Sequence, residues 1–148
     1  MIRKWWDKIS ETSRIDPGDY AAQISPNRWK SLEYALAGWL YMLRRQKNTR
    51  IMSVASVLIF GIALWLGISR IEWAILILTI TIVWLAEFVN AGIEAAIDIA
   101  APEIHPMAQV GKDVASAAVL LGVVASILVG LLILAPPFLA KFGIILPA

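Results

Sequence analysis

Residues 73–98 read WAILILTITIVWLAEFVNAGIEAAID, an apolar run long enough to span a membrane that turns polar towards its end. No charge precedes Glu87 in this stretch, and Asn90, Glu94 and Asp98 follow at steps of three, four and four residues. At ~100° per residue, these four side chains fall within roughly 80° of arc on a helix. The stretch therefore predicts a transmembrane helix that ends in a one-sided row of polar residues, called here the polar stripe.

Two more uncharged apolar runs, 51–69 and 114–140, stand before and after this one. A hydrocarbon core of ~30 Å needs about 20 helical residues, so the runs are long enough to cross it. Only residues 67–72 separate the first two runs, which predicts a tight helical hairpin, and the third run is expected to end at Pro136-Pro137. The predicted fold class is an all-α membrane protein with an N-terminal amphipathic interfacial helix and three transmembrane helices, at about 50–69, 72–100 and 112–135.

Composition favours a single membrane domain and excludes several kinds of site. Of the 148 residues, 59% are hydrophobic and 16% charged, whereas a soluble domain has roughly 45–50% apolar and about 25% charged residues. Without cysteine the chain has no disulfide, iron–sulfur cluster or thiolate zinc site, and a single histidine is too few for a histidine-built metal site. The chain also lacks the GxxxxGK[ST], GxGxxG, HRD and DFG motifs, which excludes P-loop enzymes and protein kinases.

The distribution of basic residues predicts the topology. Ten of the 13 Lys and Arg residues lie in residues 1–50, Lys112 follows the second run, and the hairpin link carries only Arg70. The positive-inside rule then places the N-terminus, the 102–112 loop and the polar stripe on the cytoplasmic side. This placement indicates a membrane protein and not a nucleic-acid partner. The first residues, MIRKWWDKISE, lack the apolar core of a signal peptide, so none is expected.

Ahead of the first run, residues 27–47 have the pattern of an amphipathic helix. Apolar residues recur after Pro26 at steps of three and four, and they are Trp29, Leu32, Leu36, Trp39, Leu40 and Leu43. This apolar face is too short to span and fits the cytoplasmic interface, although a soluble helix that packs on a partner subunit would have the same pattern. Residues 1–25 are expected to form an N-terminal extension, in which Trp5-Trp6 suggests a short helix, ahead of one membrane domain over 26–148.

A lysine and a further carboxylate reach the membrane face that carries the polar stripe. The loop PEIHPMAQVG leads to Lys112 and Asp113 at the start of the third run. Carboxylates, an amide and a lysine form an oxygen-rich site of the kind that magnesium prefers with phosphate as co-ligand. The same residues would also suit plain interfacial ion pairs whose lysine snorkels to water. His105, taken alone, is more typical of a loop histidine than of a ligand.

The third run carries a row of small residues that favours close helix contact, namely Ala118, Gly122, Ser126 and Gly130. Three spans and one surface helix are too few to enclose a nucleotide. We therefore expect a homo-oligomer with sites between its subunits.

Two motifs at fixed spacing resemble one family. ExxNAGIEAAID, followed after about a dozen residues by GKDVASAAVLL, is similar to the prokaryotic diacylglycerol kinases, a family that includes undecaprenol kinases. The likeness extends from about Tyr34 to Ala135 without a gap. It implies a homotrimeric enzyme of the bacterial inner membrane, active in phospholipid biosynthesis, which moves the γ-phosphate of MgATP to a lipid hydroxyl. Its composite active sites would lie at the cytoplasmic edge.

The resemblance also implies roles for individual residues. Glu87 matches the catalytic carboxylate, and its position just inside the membrane edge suits a general base for a headgroup hydroxyl. Glu94 matches the magnesium ligand, whereas Gln46 stands where the family often has a second acidic ligand, so an uncharged amide oxygen would take that place. The positions that match nucleotide contacts are Tyr34, Asn90, Asp98, Glu103, His105, Lys112 and Asp113. The positions that match the lipid substrate's surroundings are Trp65 and Ser116.

The identity of the acceptor lipid stays open at this point. Diacylglycerol is favoured narrowly over undecaprenol or another lipid alcohol. A hypothesis from a different class is a small non-enzymatic membrane subunit whose polar stripe binds or conducts cations.

Overall fold

The computed structural model describes residues 27–144, which form four helices and, over that range, no strand. The helices are α1 (Arg28–Arg45), α2 (Lys47–Leu66), α3 (Arg70–Ala100) and α4 (Pro106–Lys141). In this part of the chain, α2, α3 and α4 are each long and apolar enough to cross a membrane. The predicted all-α fold with three transmembrane helices is therefore confirmed. The short helix suggested at Trp5-Trp6 lies outside the described residues.

Helix α1 is slightly shorter than the predicted 27–47 helix. The side chain of Asn27 caps its start, since Asn27 Oδ1 accepts a hydrogen bond from the Lys30 N–H at 2.9 Å. The helix ends at Arg45 because Gln46 takes an extended conformation (φ −92°, ψ 120°) and serves as the N-cap residue of α2. The apolar face of α1 is exposed in the single chain. Its placement at a membrane interface stays a prediction.

The tight hairpin between α2 and α3 is formed by three residues with clear local roles. Gly67 ends α2 in the left-handed conformation (φ 70°), which glycine adopts without steric cost. Ser69 and Glu72 then form a capping box at the start of α3: the Ser69 N–H donates to Glu72 Oε2 at 2.7 Å, and the Glu72 N–H donates to Ser69 Oγ at 3.3 Å. The chain therefore reverses within a few residues, and α2 and α3 run antiparallel.

Helix α4 does not end where the sequence analysis expects. It continues through Pro136 and Pro137 to Lys141. A proline ring fixes φ near a helical value. Each of the two prolines therefore lacks an N–H for a backbone hydrogen bond, but the helix continues past both of them. Contacts of Phe138 and Lys141 with Trp65 on α2, described below, hold the last turn in place.

Packing is closest between α3 and α4. A Cβ atom added to Gly122 would lie 3.7 Å from Val83 Cγ2, and one added to Gly111 would lie 2.9 Å from Ile97 Cδ1. Gly122 thus makes the close contact predicted for the row of small residues, whereas a Cβ at Gly130 would meet nothing within 4 Å. A buried cluster of Ala63, Leu76 and Ile133 joins all three spanning helices.

Most of the apolar surface of the spanning helices remains uncovered in the single chain. Only 6% of the most apolar part of α4 is buried. In water such a surface would be unfavourable, and a bilayer or neighbouring subunits are the surroundings that suit it.

Lys141 connects the ends of α4 and α2 on the side of the bundle opposite the polar stripe. Its Nζ donates to the Trp65 backbone carbonyl at 2.7 Å and lies 4.3 Å from the centroid of the Trp65 ring. Phe138 packs on the same ring edge-on, with centroids 6.2 Å apart. The ammonium group thereby satisfies a carbonyl at the C-terminus of α2, where a helix dipole favours a positive charge.

We expect Lys141→Met to lower the thermal stability of the protein in detergent micelles. The substitution keeps an apolar stem but removes a carbonyl hydrogen bond and a cation–π contact, together worth about 1 kcal/mol at an exposed site. Thermal unfolding followed by tryptophan fluorescence measures the effect, and Lys141→Arg, which keeps the cation, is the control. Equal unfolding temperatures for Lys141→Met and the unsubstituted protein would contradict this role.

Candidate active site

The polar stripe lies on one continuous helix, α3, and its members differ in burial. Glu87 is 3% exposed and Asn90 is 8% exposed. Glu94 is half-buried, and Asp98 is exposed. The stripe therefore leads from solvent at its far end to a buried carboxylate within the bundle.

Two contacts connect the stripe internally and to α4. Asn90 Nδ2 donates a hydrogen bond to Glu94 Oε1 at 2.9 Å, one turn along the helix. Lys112 Nζ forms an ion pair with Asp98 Oδ1 at 2.5 Å, and the two side chains are 36% and 66% exposed. Because pairs this exposed contribute only about 0–1 kcal/mol, Lys112 is free to exchange its partner for another anion. The structure thus brings Asn90, Glu94, Asp98 and Lys112 together at one end of the bundle.

The other predicted nucleotide residues near α4 have local partners or are exposed. Asp113 Oδ1 accepts a hydrogen bond from Gln109 Nε2 at 2.7 Å, one turn earlier on α4. His105 is the N-cap residue of α4, and its Nδ1 accepts from the Met107 N–H at 3.2 Å. This leaves His105 Nε2 as the ring nitrogen that is available to a ligand. Glu103 is exposed between α3 and α4.

A groove with a volume of about 370 Å³ runs between α2, α3 and α4 and contains Glu87 at one end. Its wall on α3 extends from Leu76 to Glu87, about 16 Å along the helix axis. The lining is mostly apolar, and its polar residues besides Glu87 are Asn48, Ser56, Thr79 and Ser126. Trp84, which also lines it, donates from Nε1 to Ser56 Oγ at 3.2 Å and so fixes α3 against α2. An apolar chain would therefore fit beside a single buried carboxylate.

The two residues predicted to face the lipid, Trp65 and Ser116, do not line this groove. Trp65 lies at the opposite end of α2, in the contact with Lys141. Ser116 is exposed on α4, next to the buried Ala115, and does not line the groove. Tyr34 is exposed on α1. Gln46 is half-buried at the junction between α1 and α2, and its side chain makes no capping hydrogen bond there.

Three buried side-chain oxygens in residues 27–144 have no hydrogen-bond partner: Thr49 Oγ1, Glu87 Oε2 and Asn90 Oδ1. An unmade hydrogen bond of a buried polar group costs about 1–3 kcal/mol, so such atoms are candidates for a function that repays the cost. Sequence reasoning singled out Glu87 and Asn90 but missed Thr49. The signal that could have found it is the seven-residue step from Thr49 to Ser56, which places both hydroxyls on one face of α2.

A magnesium ion at this site would take only some of its ligands from the described part of the chain. Among the described residues, no group of three or more His, Asp or Glu side chains is close enough to hold a metal alone. Magnesium, however, is commonly bound through one or two carboxylates while water and substrate phosphates fill its other positions. Glu94 meets that requirement, because its carboxylate is half-buried and already oriented by Asn90.

Comparison with known proteins adds a family to this geometry. The family model for prokaryotic diacylglycerol kinase matches residues 33–134. A diacylglycerol kinase of Synechocystis sp. is 36% identical over 121 residues, which cover 81% of this chain and 69% of the relative. An undecaprenol kinase of Bacillus subtilis is 32% identical over 123 residues, 82% of this chain and 98% of the relative. A diacylglycerol kinase of Pseudomonas aeruginosa is 35% identical over 105 residues, 70% of this chain and 85% of the relative.

The match covers α2 and α3 in full, most of α1 and α4, and the residues of the polar stripe. These relatives are all kinases of lipid alcohols by name, and the three apolar helices agree with a membrane enzyme. The chain belongs to the prokaryotic diacylglycerol kinase family and is a membrane lipid kinase.

Proposed function

We propose that this enzyme transfers the γ-phosphate of MgATP to the hydroxyl group of diacylglycerol, which gives phosphatidic acid and ADP. The observation that carries the proposal is the buried carboxylate of Glu87, with one oxygen unpartnered, at the end of an apolar groove. A lipid whose chain occupies the groove would present its headgroup hydroxyl near that oxygen. The polar stripe then leads from this point to the exposed Asp98 and Lys112, where a water-soluble nucleotide has access.

In the proposed reaction Glu87 is the general base. Its carboxylate takes the proton of the lipid hydroxyl, while the hydroxyl oxygen forms a bond to the γ-phosphorus. The bond between that phosphorus and the bridging oxygen to the β-phosphate breaks, and ADP leaves with the bonding electrons. A carboxylate held out of water and close to the acceptor keeps this proton transfer within hydrogen-bond range.

Lys112 and the residues around it form the proposed nucleotide site. A lysine beside the phosphates offsets the charge that spreads over them in the transition state. Lys112 would exchange its weak partner Asp98 for a phosphate oxygen. The other proposed nucleotide contacts are Tyr34, Asn90, Asp98, Glu103, His105 and Asp113.

Magnesium is the proposed cofactor, held by Glu94 with Gln46 as a second, uncharged ligand. When bound, the ion would neutralise phosphate charge, which is its usual contribution in phosphoryl transfer. Within the chain itself, Asn90 orients the Glu94 carboxylate through the bond from Nδ2.

The proposed assembly is a homotrimer in the bacterial inner membrane, with the polar stripe on the cytoplasmic side. Ten of 13 basic residues lie in residues 1–50, before or at the start of the first span, which supports this orientation. The large uncovered apolar surface of α4 supports contact with other subunits as well as with lipid. In such an assembly each active site would be composite.

Undecaprenol is the second candidate substrate. It is favoured by the match to the undecaprenol kinase of Bacillus subtilis, which covers 98% of that protein. Diacylglycerol stays first because the Synechocystis sp. relative named for it has the higher identity, 36% against 32%.

The test is a competition in mixed micelles. Purified protein receives MgATP labelled in the γ-phosphate together with diacylglycerol, monoacylglycerol, ceramide and undecaprenol, and thin-layer chromatography separates the products. We expect label mainly in phosphatidic acid. Label mainly in undecaprenyl phosphate would replace the first candidate by the second. Cation flux through liposomes without ATP, and no labelled lipid, would instead support a cation-conducting subunit and contradict the kinase proposal.

A further inference from the structure

The hydroxyl group of Thr49, in the first turn of α2, is fully buried and unpartnered within residues 27–144. Other hydroxyls of the spanning helices donate to a carbonyl of their own helix at 2.7–2.8 Å, and these belong to Ser53, Thr79, Thr81 and Ser126. Hydroxyl groups commonly satisfy themselves in this way in membrane helices. The Thr49 hydroxyl makes no such bond, so we expect its partner to come from a neighbouring element.

The register of α2 against α3 identifies that neighbour. Ser56 contacts Trp84 directly, and seven residues further along α2, Ala63 shares a buried cluster with Leu76 of α3. A step of seven residues returns to the same face of a helix. Seven residues in the other direction from Ser56 is Thr49. Because the helices are antiparallel, the segment of α3 opposite it is centred on residues 91–92, directly after Asn90.

Asn90 carries an unpartnered acceptor oxygen, which is the kind of group that the Thr49 hydroxyl needs as a partner. Asn90 Nδ2 donates to Glu94, whereas its buried Oδ1 has no hydrogen-bond partner in the described chain. A threonine hydroxyl can donate to such an oxygen and accept from another group at the same time. Glu87 Oε2, one turn along the same face of α3, is the third unpartnered oxygen at this level. One buried water molecule typically makes about two to four hydrogen bonds, so the Thr49 hydroxyl and Asn90 Oδ1 are enough partners for it, and Glu87 Oε2 is left for the lipid hydroxyl.

We propose that Thr49 is a positioning residue for the metal ligand Glu94. Through one water molecule its hydroxyl bonds to Asn90 Oδ1, which fixes the amide in the orientation that presents Nδ2 to Glu94. The inference rests on the proposed function, in which Glu94 holds magnesium. It adds a side chain of α2 to the residues that orient Glu94, since every polar stripe residue lies on α3.

The expected consequence is a loss of metal affinity with little change at the lipid. Removal of a partner that orients a metal ligand typically costs about 10- to 100-fold in metal affinity or activity. Thr49→Val keeps the side-chain shape but removes the hydroxyl. We expect the Mg²⁺ concentration for half-maximal activity to rise about tenfold, and the KM for diacylglycerol to stay unchanged.

The experiment measures both activity and binding. Mg²⁺ titrations of lipid phosphorylation are compared with binding of Mn²⁺, followed by electron paramagnetic resonance, in the presence of a non-hydrolysable ATP analogue. Thr49→Ser should restore the behaviour of the unsubstituted protein in both. Ser53→Ala is the matched control, because the Ser53 hydroxyl donates to its own helix and should be dispensable. Thr49→Ala, which is smaller, replaces Thr49→Val if the latter does not assemble.

Two results would overturn the inference. One is a Thr49→Val protein with unchanged Mg²⁺ and Mn²⁺ dependence and higher thermal stability, as expected if the hydroxyl were only an unsatisfied buried group. The other is lower activity with unchanged Mn²⁺ binding, which would separate Thr49 from Glu94. Failure of the unsubstituted protein to phosphorylate any lipid would contradict the proposed function. The comparison of Mn²⁺ binding would still test whether Thr49 affects the metal site.

Discussion

Replacing Glu87 with glutamine is expected to reduce phosphoryl transfer by about 10²- to 10⁴-fold, the usual contribution of a positioned general base. Glutamine has nearly the same shape as glutamate, but its amide cannot take a proton from the lipid hydroxyl at neutral pH. Since Glu87 is 3% exposed and unpartnered at Oε2, loss of its charge should not weaken the fold. The initial rate of labelled phosphatidic acid formation at saturating lipid and MgATP measures the effect.

The control for this variant is Glu72→Gln, the same substitution at the opposite end of α3. Glutamine can replace glutamate in a capping box, so the bond to the Ser69 N–H is retained. We expect Glu72→Gln to keep the activity of the unsubstituted protein, and both variants to elute as the same oligomer on size exclusion. A Glu87→Gln protein that keeps most of its activity would remove Glu87 from the role of base.

Replacing Lys112 with methionine is expected to lower kcat/KM for ATP by about 10²- to 10³-fold, as for the loss of one group that stabilises transition-state charge. Methionine preserves the apolar stem and most of the length of the side chain and removes the ammonium group. Asp98 then loses its ion-pair partner, but it is 66% exposed and stays hydrated. Kinetics with varied ATP at saturating lipid measure the change.

Lys141→Met serves as the comparison for Lys112→Met, because it removes a lysine from the opposite end of the same helix. Assayed well below its unfolding temperature, it should leave kcat/KM for ATP unaltered. An equal loss in both variants would show that the effect arises from net charge or from folding, and Lys112 would then have no specific role at the phosphates.

The three spanning helices and the polar stripe could be predicted from the sequence because each rests on a local pattern. Uncharged runs of about 20 residues specify a transmembrane helix wherever they occur, since backbone groups in lipid must bond within the segment. The spacing of Glu87, Asn90 and Glu94 fixes their common face once a helix is assumed. Gly67 and the Ser69–Glu72 pair similarly determine the hairpin through backbone conformation and capping.

What could not be predicted depends on contacts between helices. The burial of Thr49 follows from the register of α2 against α3. The sequence pattern of one helix does not specify its register against another helix. The end of α4 was expected at Pro136, but contacts of Phe138 and Lys141 with Trp65 extend the helix to Lys141. The same contacts place Trp65 far from Glu87, although the family resemblance had associated it with the lipid.

The increase in burial from Asp98 to Glu87 along α3 has a kinetic consequence. In the proposed mechanism the acceptor approaches the carboxylate through a mostly apolar groove, and it would do so by lateral diffusion within the leaflet, without leaving it for water. Its effective concentration is then its mole fraction among the amphiphiles of the membrane, and not its amount per volume of solution. Diluting the acceptor with inert amphiphile should slow turnover even when its amount per millilitre is constant. The nucleotide, which in the proposed mechanism arrives from solution at Lys112, should show ordinary saturation with its concentration in solution.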